Sequence, residues 1–148
     1  MADECVDKLE LRSTDDYEAI RHLALASGLE DGSFQQTVAA FGFYMSGKLV
    51  GCASLRRDGE RYSVDWLAVD QPLRGRGLGN KLVTRVAGEA KTRGADRLWA
   101  LARAPDFFEK IGFRRSSEKD GVGPSLDNCL QCPQFRRNCS PAIMIIDL

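Results

Sequence analysis

The chain has 148 residues, with lysine plus arginine and aspartate plus glutamate balanced at 21 each. That length suits one domain burying roughly two thirds of its unfolded surface, and the absence of a basic excess argues against a nucleic-acid partner. No apolar run reaches the roughly 18 residues of a membrane span and no signal-peptide pattern follows Met1, so a cytoplasmic protein without a membrane partner is expected.

Residues 1–7 read as a loose polar tail and residues 8–148 as one domain. Residues 9–12 make a short first strand. Ser13 or Thr14 then caps a helix carrying Ile20, Leu23 and Ala24, with Asp15, Asp16 and Glu18 near its positive end and Gly28 at its stop. Phe34, Val38 and Phe41 fall at helical spacing and predict a second short helix. A hairpin follows, with residues 43–45 and 48–56 joined by Ser46-Gly47, and Asp58-Gly59 turns into the next strand.

The central strand, residues 64–69, is apolar at nearly every position, as a strand covered on both faces should be. Strict alternation puts Ser63, Asp65 and Leu67 on one face and Val64, Trp66 and Ala68 on the other. Pro72 ends the strand, having no N–H to give to a ladder. After the glycine-rich turn of Arg74, Gly75, Arg76, Gly77, Leu78 and Gly79, a helix carries one apolar stripe of Leu78, Leu82, Val83, Val86, Ala87 and Ala90. Glu89 and Arg93 can pair four apart, and Gly94 sits where a helix takes its left-handed stop. Residues 97–102 form a strand parallel to the central one by the right-handed crossover rule. Pro105 opens a short helix over residues 105–110. Residues 113–116 and 142–148 read as the last strands. The expected fold is α/β: a mixed, mostly antiparallel sheet with a splayed central parallel pair, flanked by helices and open at the carboxyl ends of that pair.

Glycines at alternate positions let backbone N–H groups converge, and a helix whose first turn is ringed by bare N–H groups and flanked by Arg74 and Arg76 is an anion site suited to a diphosphate. The loop lacks Gly-Lys-Ser/Thr, which excludes a nucleotide-triphosphate P-loop. Its glycine spacing, with no acidic residue ending a second strand, weakens a dinucleotide reading. A glycine-rich turn without a ligand is the plain alternative.

In this strand–turn–helix setting Arg74, Gly77 and Gly79 resemble the pyrophosphate loop of the GCN5-related N-acetyltransferases (GNAT family), and the order of elements over nearly the whole chain is similar to theirs. The resemblance implies acetyl-CoA as cosubstrate, held by Leu67, Ala68 and Val69 at the acetyl group. It further implies contacts from Arg74, Gly75, Arg76, Gly77, Leu78, Gly79 and Asn80 at the diphosphate, with Phe107 and Phe108 along the pantetheine channel. Family members often keep a glutamate near the place of Ser63; here Asp65 is the carboxylate on that face and the candidate base. An ordinary strand carboxylate paired with an arginine stands as the other reading of Asp65. Where many members place a tyrosine that protonates the leaving thiolate, this chain has Phe108 in Phe107-Phe108-Glu109-Lys110-Ile111-Gly112-Phe113.

That Phe-Phe pair, with Arg103 and the surrounding residues 100–113, resembles the catalytic domain of N-acetylglutamate synthases. The cysteine-bearing tail is similar to short, stand-alone members of that group. By this resemblance Arg103 holds a substrate carboxylate and the acceptor is a small amine-bearing acid such as glutamate; a strand-end ion pair is its alternative role. Arg56 and Arg57 are weaker candidates for the same work. Acetyltransferases found with arsenic-resistance functions share the Phe-Phe motif and a cysteine near the C-terminus and compete for the assignment. A CoA-binding or metal-sensing module without catalysis, and acetylation of protein amines, also stay open, as does assembly as a homodimer. Of the five cysteines, Cys129, Cys132 and Cys139 have partial zinc-ligand spacing without a fourth ligand, so no metal residues are assigned. Cys52 reads as a buried small hydrophobe and His22 as a half-exposed helix residue.

Overall fold

A computed structural model describes residues 8–29, 31–121, 123–124 and 142–148. Its strands are β1 (Leu9–Ser13), β2 (Thr37–Met45), β3 (Lys48–Asp58), β4 (Arg61–Val69), β5 (Arg97–Ala102), β6 (Arg114–Arg115) and β7 (Ala142–Asp147). Its α-helices are α1 (Tyr17–Ala26), α2 (Leu78–Thr92) and α3 (Pro105–Lys110). The strands form one sheet in the order β1-β2-β3-β4-β5-β7-β6. Among the described strands only β4 and β5 pair in parallel; every other neighbouring pair is antiparallel.

Each face of the sheet is covered by one long helix. The α2 stripe of Leu78, Leu82, Val83, Val86 and Ala90 packs on Phe41, Val50, Leu55 and Leu98. Leu82 and Val86 are fully buried, which stabilises the layer by about 1.5–3 kcal/mol for each side chain. On the other face, Ile20, Leu23 and Ala24 of α1 pack on Ala40, Tyr44, Leu49, Cys52, Trp66 and Ala68. Glu89 pairs with Arg93 at 2.9 Å, and Gly94 turns the chain at φ 93° into β5.

Two expectations for the first half of the chain are corrected. The cap of α1 is Asp16, whose carboxylate accepts from the Ala19 N–H at 3.2 Å. Ser13 ends β1, and the Thr14 hydroxyl accepts from the Asp16 N–H and bonds the Tyr44 hydroxyl at 2.7 Å. Nor does a second helix precede β2. Val38 and Phe41 lie in β2, and their helical spacing with Phe34 is accidental to a run that pairs with β3 from Thr37↔Arg56 to Met45↔Lys48. The β2–β3 turn holds Ser46 and Gly47 at φ 52° and 79°, the signs that a two-residue hairpin loop requires.

The feature that matters most for the site is a bulge in β4. Cys52 pairs with Ala68 and Ser54 with Asp65, so three steps on β4 oppose two on β3. Trp66 occupies the irregular position with a left-handed φ of 51°, unusual for a bulky residue. The expected alternation therefore fails there. Val64 packs toward α2, Trp66 and Ala68 pack toward α1, and Leu67 and Val69 turn back toward α2. Beyond the bulge β4 and β5 part company, since they pair only at Ser63↔Trp99 and Val64↔Ala100. Cys5, Cys129, Cys132 and Cys139 lie outside the described residues.

Candidate active site

The gap between the diverging ends of β4 and β5 is a cleft of about 530 Å³, bounded by α2, α3 and the chain just after α1. It brings together Asp65, Arg103 and every expected coenzyme-contacting residue except Arg76, which is exposed outside it. Ser27, Leu29, Trp66 and Leu101 also line it. Ser27 and Leu29 carry no sequence signal that distinguishes them from any helix exit.

One end of the cleft is the start of α2. The first intrahelical bond there runs from the Lys81 N–H to the Gly77 carbonyl at 3.2 Å. The N–H groups of Leu78, Gly79 and Asn80 thus come before the intrahelical ladder. Gly77 is the N-cap with no capping side chain, and the helix dipole adds positive character at that point. Gly75 and Gly77 hold φ of 83° and 81°, and a Cβ on either would meet open space. Their glycine identity thus answers to backbone conformation. Gly79 differs. A Cβ there would stand 3.1 Å from the Phe107 ring, so its smallness seats that ring against the loop. Arg74 turns back, its Nε donating to the Val69 carbonyl at 3.0 Å. The Asn80 carboxamide accepts from the Thr84 hydroxyl at 3.3 Å.

The middle of the cleft is backbone. The Asp70 N–H reaches the Val50 carbonyl on β3 at 2.8 Å. Because strand amides alternate in direction, Ala68 also turns its polar groups toward β3, while Leu67 and Val69 turn theirs toward the gap left by β5. Ala68 lines the cleft, but its amide serves the Cys52 sulfur. Burial pushes the Cys52 thiol up to about 12, with that amide opposing, which keeps it an inert thiol.

Asp65 sits at the base of the bulge with a side chain 35% exposed. Its Oδ1 accepts from the Trp66 N–H at 3.0 Å, and its Oδ2 lies 3.9 Å from Arg56. Arg56 is committed more strongly to Asp58, at 2.8 Å and 3.4 Å. Burial raises the Asp65 pKa from its ordinary value, against the lowering effects of the Trp66 amide and Arg56. The carboxylate is therefore both an anchor of the bulge and a proton acceptor made more basic than a surface aspartate. Arg57 lies over the Tyr62 ring and donates to Gly59, away from the cleft lining.

Arg103 leaves the end of β5 and donates to the Gly28 carbonyl at 2.8 Å, bridging the cleft to the exit of α1. Phe108 is buried, in edge-to-face contact with Phe107 and Phe113 at 5.1 and 5.0 Å, and Phe107 presents the more exposed ring to the cleft. Across the sheet, Phe34 stacks between Tyr17 and Trp66 at 4.7 and 4.4 Å, fastening the segment after α1 onto the bulge. His22 is exposed on α1, and no group of three or more histidine, cysteine or acidic residues able to hold a metal occurs among the described residues. Likewise, no described helix is long and apolar enough to cross a membrane.

Residues 4–113 match the Acetyltransferase (GNAT) family. Among solved structures, N-acetylglutamate synthase from Neisseria gonorrhoeae, complexed with coenzyme A and N-acetyl-glutamate, is 22% identical with a TM-score of 0.72. The match covers 95% of this chain and 35% of that one, so this chain spans about a third of that enzyme. A Mycobacterium tuberculosis protein in complex with CoA is 21% identical with a TM-score of 0.71, over 94% of this chain and 99% of that one. An Escherichia coli GNAT family N-acetyltransferase in complex with CoA is 16% identical with a TM-score of 0.72, over 95% of this chain and 81% of that one. At such identities the likeness is one of fold.

Proposed function

The chain belongs to the GNAT acetyltransferase family, and on that premise we propose that it transfers acetyl from acetyl-CoA directly to the amine of a small acid, an amino acid such as glutamate. The observation that carries this reading is the parting of β4 and β5 directly beside the uncapped start of α2. Convergent amides at a helix N-terminus suit a diphosphate, and amides at a sheet opening suit a thioester carbonyl. A cleft of about 530 Å³ lies in the range of small-molecule sites.

In this reading the N–H groups of Leu78, Gly79 and Asn80 take the diphosphate. The left-handed Gly75 and Gly77 set the curve of the loop, and the Phe107 ring borders the pantetheine arm. Leu67 and Val69 aim their N–H groups at the thioester oxygen and stabilise the negative charge that develops there during attack. Arg74 contributes by occupying the Val69 carbonyl, which would otherwise oppose that charge.

The acceptor arrives mostly as an ammonium and must lose a proton before its nitrogen can attack. Asp65, made more basic by burial, takes that proton directly or through water. The nitrogen adds to the thioester carbonyl, its surplus proton passes to water, and collapse of the tetrahedral intermediate breaks the C–S bond. Neither Phe107 nor Phe108 can protonate the departing sulfur. A thiolate whose conjugate acid has a pKa of about 8.5 takes its proton from water near neutrality. Arg103 pairs with the acceptor carboxylate through its bidentate guanidinium fork.

Release of free thiol from acetyl-CoA across an amino-acid panel tests the reading. Turnover with an acidic amino acid is expected. Retained acetyl-CoA binding with no turnover on any amine would overturn it in favour of a coenzyme-binding module.

A further inference from the structure

The β4 bulge is held by two side chains of the neighbouring strand. Cys52 donates its S–H to the Trp66 carbonyl at 3.2 Å, and Ser54 donates its O–H to the Asp65 carbonyl at 3.1 Å. Both residues are fully buried on β3 and flank the step at which the ladder changes register. An inserted residue disrupts the ladder locally, and here side-chain donors serve the carbonyls on either side of the disruption. A third hold comes from Asp65 itself, through Oδ1 to the Trp66 N–H. For hydrophobic packing alone, alanine or valine would serve a fully buried strand position as well as cysteine or serine does.

The held shape has a directional consequence. Without it the left-handed Trp66 has reason to relax into ordinary extended backbone, because that conformation is strained for a bulky side chain. Removing the extra residue from the count slips the following register by one position, and a one-position slip reverses the face and the amide direction of every later residue. Leu67 and Val69 would then aim their N–H groups at β3 and Ala68 would aim its own into the cleft. We propose that Cys52 and Ser54 are positioning residues for acetyl transfer, fixing through the Trp66 and Asp65 carbonyls which β4 amides face the thioester. This rests on the acetyl-transfer reading above. Neither side chain touches a substrate in it.

The test compares near-isosteric pairs that differ in the donor. Cys52→Ala and Cys52→Ser remove similar volume, but only serine keeps a donor; Ser54→Ala and Ser54→Cys make the reciprocal pair. In the alanine variants kcat is expected to fall by on the order of tenfold to a hundredfold, the scale of a misplaced catalytic group. Coenzyme A affinity should stay within about threefold, since the diphosphate cradle is elsewhere. The donor-bearing variants should keep most of the wild-type kcat despite a comparable loss of melting temperature. Equal kcat in the alanine and donor-bearing variants, or a loss that appears in coenzyme affinity instead, would overturn the proposal.

Backbone hydrogen exchange at residues 66–69 of the ligand-free protein supplies a readout independent of turnover. Exchange at Trp66 and Ala68, whose amides are held in the wild type, should quicken in the alanine variants and not in the donor-bearing ones, while β2 amides keep their rates. Equal exchange within each pair overturns the positioning role even if wild-type protein acetylates no amine. Quickened exchange in the alanine variants of a protein whose wild type is inactive would instead retain the device and discard the reaction. If a Cys52 variant does not fold, the Ser54 pair yields both readouts.

Discussion

Replacing Gly77 by alanine separates backbone strain from lost contacts. The new Cβ meets no atom within 4 Å, so it neither clashes nor leaves a void. What it does meet is φ 81°, where a residue with a Cβ is strained by about 1–2 kcal/mol. Gly59, in the β3–β4 turn away from the cleft, provides the matched control, with φ 61° and equally open surroundings. Strain retained in full lowers melting by roughly 2–8 °C, given about 2–4 °C for each kcal/mol in a chain of this size, and a loop that sheds its strain melts closer to the wild type. Coenzyme A affinity should divide them. An alanine loop relieves strain by leaving the left-handed region, and binding must then force it back. Binding takes back whatever part of the 1–2 kcal/mol the free loop has shed, up to roughly a fivefold to thirtyfold rise in Kd. Titration calorimetry with coenzyme A should find that rise for Gly77→Ala and a Kd within about twofold of wild type for Gly59→Ala. If Gly77→Ala melts close to the wild type, its strain shed, and coenzyme affinity is still unchanged, the loop does not hold the coenzyme.

Other expectations follow from the same geometry. Asp65→Asn should lower kcat by about 10²–10⁴-fold and remove the acidic limb of the pH–rate profile. In the wild type that limb should lie above the ordinary carboxylate pKa, because burial raises this one. A raised carboxylate pKa also disfavours folding once pH exceeds the folded value and ceases to do so as pH falls through it. Asp65→Asn should therefore cost little stability at neutral pH; a large melting loss there would mark Asp65 as purely structural. Arg103→Ala should raise the acceptor KM by about tenfold to a hundredfold, the scale of a lost charged hydrogen bond, and change the acetyl-CoA KM far less. An effect confined to acetyl-CoA would refute the carboxylate role. Asp120 accepts two bonds from Arg114, at 2.7 and 2.9 Å, which hold its pKa well below the usual range. Its stabilising effect is present above the unfolded pKa of about 3.9 and lost as pH falls through the folded value. The melting gap between wild type and Asp120→Asn should be open at neutrality and close in strong acid; a gap that is constant with pH would contradict this.

Much of this arrangement is written locally. Pro105 at a first helical position, Gly94 past a helix end and the apolar stripe from Leu78 to Ala90 each specify their element through nearest-neighbour chemistry, and the structure places those elements as expected. The Phe34, Val38 and Phe41 spacing misled because a short apolar run carries both periods at once, and pairing with β3 decides between them. The bulge at Trp66 had no warning in the sequence. Such a conformation usually calls for glycine, and here Cys52, Ser54 and Asp65 hold a tryptophan in it through contacts set by the sheet. That one residue reverses the face pattern of β4 and decides which amides open into the cleft. The identities of the loop residues were legible, but Gly79 answers partly to the Phe107 ring, a neighbour brought by α3.

The central claim is that coenzyme A lies across the start of α2 with its sulfur between β4 and β5. A crystal structure of the complex tests it most directly. The account predicts the diphosphate on the N–H groups of Leu78, Gly79 and Asn80, with the thiol beside the Leu67 and Val69 amides. Coenzyme A seated elsewhere on the chain would contradict it.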